Sequence, residues 1–155
     1  MIQHIDVHAV LQASCSGLYA DLVTRPTGRV VRERIAQAMA TRAAGPARAG
    51  EGALLVARMD FSGVGCMDYS CADEIVAKLL QAGATVLLLR GLSEAHREAI
   101  EPVLARHGLA VVLECPDGTL DALGPPDAAA ELLEQLVAHR LAGRLPGGTF
   151  ALTVT

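Results

Sequence analysis

The stretch ALLVARMDFSGVGCMDYSCADEIVAKLLQ, residues 53–81, is the part of the chain that most strongly indicates its fold. Its apolar run Leu54–Met59 predicts a buried strand, which turn-forming residues then end. A helix is expected to begin near Asp68 or Ser70, because Ser70-Cys71-Ala72-Asp73 matches the S-x-x-[DE] capping pattern. The stretch therefore predicts a strand, a short loop and a helix.

The predicted helix has an apolar face that is expected to pack on a sheet, because its apolar residues recur with helical spacing. These residues are Ala72, Ile75, Val76, Leu79 and Leu80. Glu74 and Lys78 lie four residues apart and are expected to form an ion pair on the opposite, exposed face. Gly83 is expected to end the helix.

Strands and helices are predicted to alternate along the rest of the chain. Strands are expected within residues 2–12, at 84–91 and at 109–114, with edge strands at 119–123 and 150–154; helices are expected at about 24–42, 93–107 and 125–142, and a loop at 45–52. This alternation favours the α/β class, with a mainly parallel central β-sheet and about four helices.

The composition excludes several classes of function. Hydrophobic residues make up 52% of the chain and charged residues 19%, which indicates a globular domain. Aromatic residues make up only 3% and the net charge is −4, so no nucleic-acid-binding surface is expected. The chain shows neither a leader pattern after Met1 nor an apolar run of membrane-spanning length. The expected location is therefore the cytoplasm, with reduced cysteines and no membrane contact.

Two motifs resemble those of STAS domains, the fold of bacterial anti-sigma-factor antagonists. Asp60-Phe61-Ser62-Gly63-Val64 is similar to the strand end of that family, and Met67-Asp68-Tyr69-Ser70-Cys71 is similar to its helix start. Upstream, Thr24-Arg25-Pro26-Thr27-Gly28-Arg29 resembles the opening of a STAS-like family of unknown function. The resemblance covers about residues 18–115.

The resemblance implies a STAS-like domain over residues 1–125, with a C-terminal helix and tail over 126–155 packed on the same domain. It also implies a non-catalytic regulatory role in a partner-switching pathway. The partner would be a GHKL-type serine kinase, an anti-sigma factor or another regulatory protein. ATP would be bound by that partner, so no cofactor is expected in this chain, and a homodimer is a further option.

Ser70 has two interpretations. It matches a capping residue, and in the family that this chain resembles the serine at this position is reversibly phosphorylated. As a helix cap it would contribute about 1 kcal/mol to stability. As a phosphoacceptor it would add about −1.5 to −2 charges to a partner-facing surface and break a complex by repulsion. The expected partner-contact residues are Ser62, Gly63, Asp68, Tyr69, Ser70, Cys71 and Glu74.

Other polar residues form possible clusters. Cys66 and Cys71 flank the same loop, where a thiol is either reactive or a small buried hydrophobe. His4, Asp6 and His8 would share one face of an extended strand, but without a fourth ligand we expect no metal site.

A basic group formed by Arg25, Arg29 and Arg32 lies near a helix start. It is expected to be either an anion site or, more simply, a solvated helix face.

Two alternative functions stay open at this point. The first is a small-molecule or nucleotide sensor of the same fold, with a pocket near Gly63, Asp68 and Arg90. The second is an enzyme that uses Cys71 or Asp68 as a nucleophile, which the lack of a base–nucleophile set disfavours.

Overall fold

The computed structural model describes residues 2–14, 21–43, 55–81 and 85–153. The strands are β1 Ile2–Asp6, β2 Leu55–Asp60, β3 Thr85–Arg90, β4 Val111–Glu114, β5 Thr119–Leu123, β6 Ala142–Arg144 and β7 Phe150–Leu152. The helices are α1 Val7–Ser14, α2 Arg25–Ala43, α3 Tyr69–Ala72, α4 Lys78–Gln81, α5 Glu94–His107 and α6 Pro126–Ala138. A π-helical turn, Asp73–Ala77, joins α3 to α4. The loop predicted at 45–52 and the helix end predicted at Gly83 lie outside the described residues.

The described strands form one seven-stranded sheet in the order β1-β2-β3-β4-β5-β7-β6. The pairings from β1 to β4 are parallel, and the pairings of β4 with β5, β5 with β7 and β7 with β6 are antiparallel. The α/β class is therefore confirmed, but a parallel arrangement holds only for the first four strands. With α3, the π turn and α4 counted as one helix, the described residues contain five helices.

The C-terminal part of the sheet differs from the prediction. Thr119–Leu123 was expected at an edge, but β5 lies between β4 and β7. Phe150–Leu152 is also an inner strand, because β6 pairs with its other side. The three residues of β6, Ala-Gly-Arg, carry no alternation of apolar and polar side chains, so no sequence pattern predicts this edge strand.

The two faces of the sheet are covered unequally. One face packs against α1, α2, the α3–π–α4 helix and α5, and it holds the larger core, which includes Met59, Leu87 and Leu89. The other face carries a smaller core built from Val56, Leu88 and the helix α6. Successive strand residues point to opposite faces, which explains why neighbours such as Leu88 and Leu89 belong to different cores.

Helix α5 confirms the predicted end signals. Ser93 accepts a hydrogen bond from the backbone N–H of His96, and the His96 ring accepts one from the Ser93 N–H, so the two residues form a reciprocal cap. Gly108 ends the helix with a φ of 65°, a left-handed conformation that favours glycine. The helix continues through Pro102. Within the described residues, no helix combines the length and the apolar character needed to cross a bilayer.

Replacing Leu136 tests how strongly α6 is attached to the sheet. Leu136 is the fully buried residue of this helix, with 2% of its surface exposed. We expect Leu136→Ala to lower the free energy of unfolding by about 2–4 kcal/mol, measured by urea denaturation, because it leaves a cavity in the smaller core. The matched control is Leu145→Ala, which removes an exposed leucine and should change stability by less than about 0.5 kcal/mol. Equal effects of the two substitutions would contradict the packing of α6.

Candidate functional site

The loop after β2 is anchored at its start by a hydrogen bond, and several of its residues are exposed. The backbone N–H of Ser62 donates to the carboxylate of Asp60 at 2.9 Å. Burial raises the pKa of Asp60, but the hydrogen bonds from Ser62 outweigh this effect and hold the pKa below its ordinary value. Gly63 has a φ of 88°, which a residue with a side chain rarely adopts. Ser62, Gly63 and Cys66 are exposed, so the loop presents a surface to solvent.

Asp68, rather than Ser70, caps the helix. One carboxylate oxygen of Asp68 accepts the backbone N–H of Cys71 at 2.9 Å and the hydroxyl of Ser70 at 2.7 Å. Ser70 therefore lies inside the first turn, and the S-x-x-[DE] interpretation is wrong for this helix. Its side chain is half-buried, with its hydroxyl proton directed at Asp68.

Cys71 lies in the interior rather than on the surface where a partner contact was predicted. It is fully buried, and its thiol donates a hydrogen bond to the backbone carbonyl of Thr24 at 3.0 Å. Burial, together with the nearby carboxylate of Asp68, raises the pKa of this thiol to about 12. The thiol is therefore protonated at neutral pH and lacks the thiolate character of a nucleophile.

Glu74 is also buried, although its spacing with Lys78 predicted an exposed ion pair. Only 1% of its side chain is exposed, and its carboxylate lies 2.9 Å from Arg25 Nη1, 2.9 Å from Lys78 Nζ and 3.4 Å from Arg32 Nε. Burial raises the pKa of Glu74, but hydrogen bonds from Lys78 and Arg25 outweigh it and hold the pKa below its ordinary value. The predicted pair with Lys78 exists, but it belongs to a buried cluster.

Asp73 extends this cluster to α5. Its two carboxylate oxygens contact Arg25 Nη1 at 3.0 Å and His107 Nε2 at 2.9 Å. Burial opposes ionisation, but the hydrogen bonds from Arg25 and His107 leave the pKa of Asp73 lowered. Beside this cluster, Arg106 donates to the hydroxyl of Tyr69 at 3.4 Å, and Tyr69 is half-buried.

The segment Thr24–Arg29 packs against the motif Met67–Cys71 at the helix start. Gly28 lies so close to α3 that an added Cβ would be 3.0 Å from Cα and 3.2 Å from Sγ of Cys71. Arg25 and Arg32 turn toward Glu74, while Arg29 is exposed. Arg25 and Arg32 therefore form ion pairs within the chain, which neither of the two predictions, an anion site or a solvated helix face, describes.

A second polar group, which the sequence interpretation missed, lies on the less covered face of the sheet. Arg58 of β2 reaches across β3 to form an ion pair with Glu114 of β4. Arg90 of β3 lies 3.9 Å from Asp60 and 3.7 Å from Glu114. A cavity of about 400 Å³ opens beside these residues at the carboxyl ends of the parallel strands. A pattern in the sequence that could have predicted this group is the presence of charged residues at the ends of strands, at positions that point to the same face of the sheet.

The residues predicted as possible metal ligands are not brought together. His4 and Asp6 lie on β1, but His8 lies in α1, so the three do not share a strand face. No group of three or more potential metal ligands occurs in the part of the chain that the structure describes.

Substituting Gly28 tests the contact between α2 and α3. Alanine normally stabilises a helix interior relative to glycine by up to about 1 kcal/mol. Here its Cβ would press on Cys71 and on Glu74 Cβ, so we expect Gly28→Ala to destabilise the protein by about 1–3 kcal/mol. Val30→Ala on the exposed side of the same helix should be nearly neutral in the same chemical denaturation experiment. A stabilised Gly28→Ala variant would contradict this close packing.

Substituting Glu74 tests the buried cluster. Because the pKa is lowered on folding, the ionised carboxylate stabilises the protein fully above its unfolded pKa, and this stabilisation is lost as pH falls through the folded pKa. We expect Glu74→Gln to lower the free energy of unfolding by about 2 kcal/mol at pH 7. The difference from wild type should narrow as the pH falls from the ordinary glutamate pKa of about 4.3 through the lowered folded pKa, where wild-type Glu74 also becomes neutral.

Denaturation curves across this pH range measure the effect. The control is Glu98→Gln on the exposed side of α5, which should change stability by less than about 0.5 kcal/mol. A Glu74→Gln variant whose deficit stays constant down to the acid limit would show that the charge of Glu74 is not what stabilises the fold.

Comparisons with known proteins leave the family open. No protein-family model matches the chain, and no curated protein or solved structure matches it.

Proposed function

We propose that this chain is a non-catalytic, STAS-like regulatory module that acts by protein–protein contact, with Ser70 as the residue phosphorylated by a partner kinase. The observation that supports this most is the position of Ser70. Its hydroxyl lies in the first turn of a helix, is half-buried, and is held by Asp68 at 2.7 Å beside an exposed loop.

The proposed contact surface consists of the loop and the helix start. Ser62 and Gly63 are exposed, and Asp68, Tyr69 and Ser70 are half-buried. Cys71 and Glu74 support this surface from beneath, because both are buried. The proposed contact surface is therefore smaller than the one predicted from the sequence, because Cys71 and Glu74 are not part of it.

Phosphorylation would change this surface through Asp68. The hydroxyl proton of Ser70 that now bonds to Asp68 would be replaced by a group carrying about −1.5 to −2 charges at pH 7. The phosphate would stand beside the carboxylate that caps the helix, so repulsion between the two anions would displace Asp68 or loosen the first turn. A partner bound to this surface would then be released.

The proposed partner is a serine kinase of the GHKL type or an anti-sigma factor, in a cytoplasmic partner-switching pathway. Such a partner would supply the ATP site, so this chain needs no cofactor of its own. The protonated, buried thiol of Cys71 argues against the alternative in which that residue is a nucleophile.

Mass spectrometry tests the role of Ser70. The purified chain is incubated with ATP and a purified GHKL-type serine kinase, and phosphate is located by tandem mass spectrometry. We expect one phosphate on Ser70, none on the Ser70→Ala variant, and unchanged phosphorylation of Ser62→Ala, since Ser62 is exposed but lies outside the helix. Phosphate at another residue, with Ser70→Ala behaving as wild type, would remove Ser70 from this role.

A further inference from the structure

The cavity at the carboxyl ends of β2, β3 and β4 has the features of a ligand site. Its volume of about 400 Å³ falls in the range of small-molecule sites. Ligands of open α/β sheets bind at the carboxyl ends of parallel strands, where this cavity lies. The polar residues that line it include Arg58, Ser62, Arg90, Arg97 and Glu114.

The charge of the lining favours an anion. The lining contains three arginines, Arg58, Arg90 and Arg97, and one carboxylate, that of Glu114, in a protein whose net charge is −4. Arg58 is paired with Glu114.

The other two guanidinium groups form only long ion pairs. Arg90 lies 3.9 Å from Asp60 and 3.7 Å from Glu114, and Arg97 lies 3.9 Å from Glu101. These separations exceed hydrogen-bonding distance, so both arginines keep donors for a ligand.

Glu114 provides the second, independent sign of a ligand. Its side chain is only 9% exposed, and one oxygen, Oε2, receives Arg58. The other oxygen, Oε1, is buried without a hydrogen-bond partner among the described residues, and the same holds for Nε of Arg58. A buried charged oxygen without a partner is unfavourable, and a ligand that donates a hydrogen bond to it would remove this cost.

We propose that this cavity binds a small phosphomonoester whose organic part carries hydroxyl or N–H donors. Arg90 and Arg97 bind the phosphate, because a guanidinium group matches the geometry of phosphate oxygens. A phosphomonoester near neutral pH carries up to two negative charges and offers acceptors to the donors that Arg90 and Arg97 keep free. Glu114 accepts a hydrogen bond from the organic part of the ligand, after a small rotation of its carboxylate.

This site is distinct from the pocket that the sequence suggested near Gly63, Asp68 and Arg90. Arg90 lines the cavity, whereas Gly63 and Asp68 do not. Ser70 is also absent from the lining, so the proposal stands or fails independently of phosphorylation at that residue.

Isothermal titration calorimetry at low salt tests the proposal with two probes, ribose 5-phosphate and inorganic phosphate. We expect ribose 5-phosphate to bind more tightly, because its sugar hydroxyls donate to Glu114 while its phosphate stays on Arg90 and Arg97, and a single inorganic phosphate does not make both contacts. The double variant Arg90→Ala/Arg97→Ala should weaken binding of ribose 5-phosphate by about tenfold or more. Both side chains are nearly half exposed, so this variant should fold normally. The control Arg34→Ala, an exposed arginine on α2, should bind as wild type does.

The variant Glu114→Gln tests the role of the carboxylate separately from that of the two arginines. Removing the negative charge should leave the affinity for inorganic phosphate unchanged or raised, while the advantage of ribose 5-phosphate over inorganic phosphate shrinks. The proposal is overturned if neither probe binds at millimolar concentrations, if the two probes bind equally to wild type, or if the arginine double variant binds as wild type does.

Discussion

The buried carboxylate of Glu74 is the interaction on which the arrangement of the helices depends. A lone carboxylate in this position would be strongly unfavourable, but three cations from two helices surround it. Arg25 and Arg32 come from α2, so the charge can be buried only when α2 lies against the helix that follows the loop. Gly28 allows that approach, and Asp73 extends the same network to His107 of α5. The ion pairs thereby define the relative positions of three helices on one face of the sheet.

This arrangement gives the two faces of the sheet different roles. On the heavily covered face, the charged groups between α2 and the α3–π–α4 helix form ion pairs with one another, and the loop and helix start reach solvent. On the other face, α6 covers the apolar part around Leu88 and Leu136, while Arg58, Arg90 and Glu114 extend beyond it. The two proposals therefore concern neighbouring surfaces that meet at Ser62: one is a helix start suited to a macromolecule, and the other is a cavity suited to a small anion.

The sequence predicts local elements well and charge placement poorly. The runs of β2, β3 and β4 and the caps of α5 follow from hydrophobic pattern and cap chemistry, which act over a few residues. The burial of Glu74 does not follow from such a pattern, because it depends on arginines some forty to fifty residues away. Asp68 and Ser70 both have capping side chains, and only the path of the loop selects Asp68. The Arg58–Glu114 pair depends on sheet order, which no local pattern encodes.

The π-helical turn makes the length of this helix as important as its composition. A turn of this kind takes in one more residue than an α-helical turn. A deletion of one residue within Asp73–Ala77 would remove this extra residue, so an α-helical turn would replace the π turn while α3 and α4 keep facing the same way. A deletion within α3, which has no extra residue, would instead rotate everything beyond it by about 100° and turn Leu79 away from the sheet. The π turn is therefore the part of this helix in which a change of length disturbs the packing least.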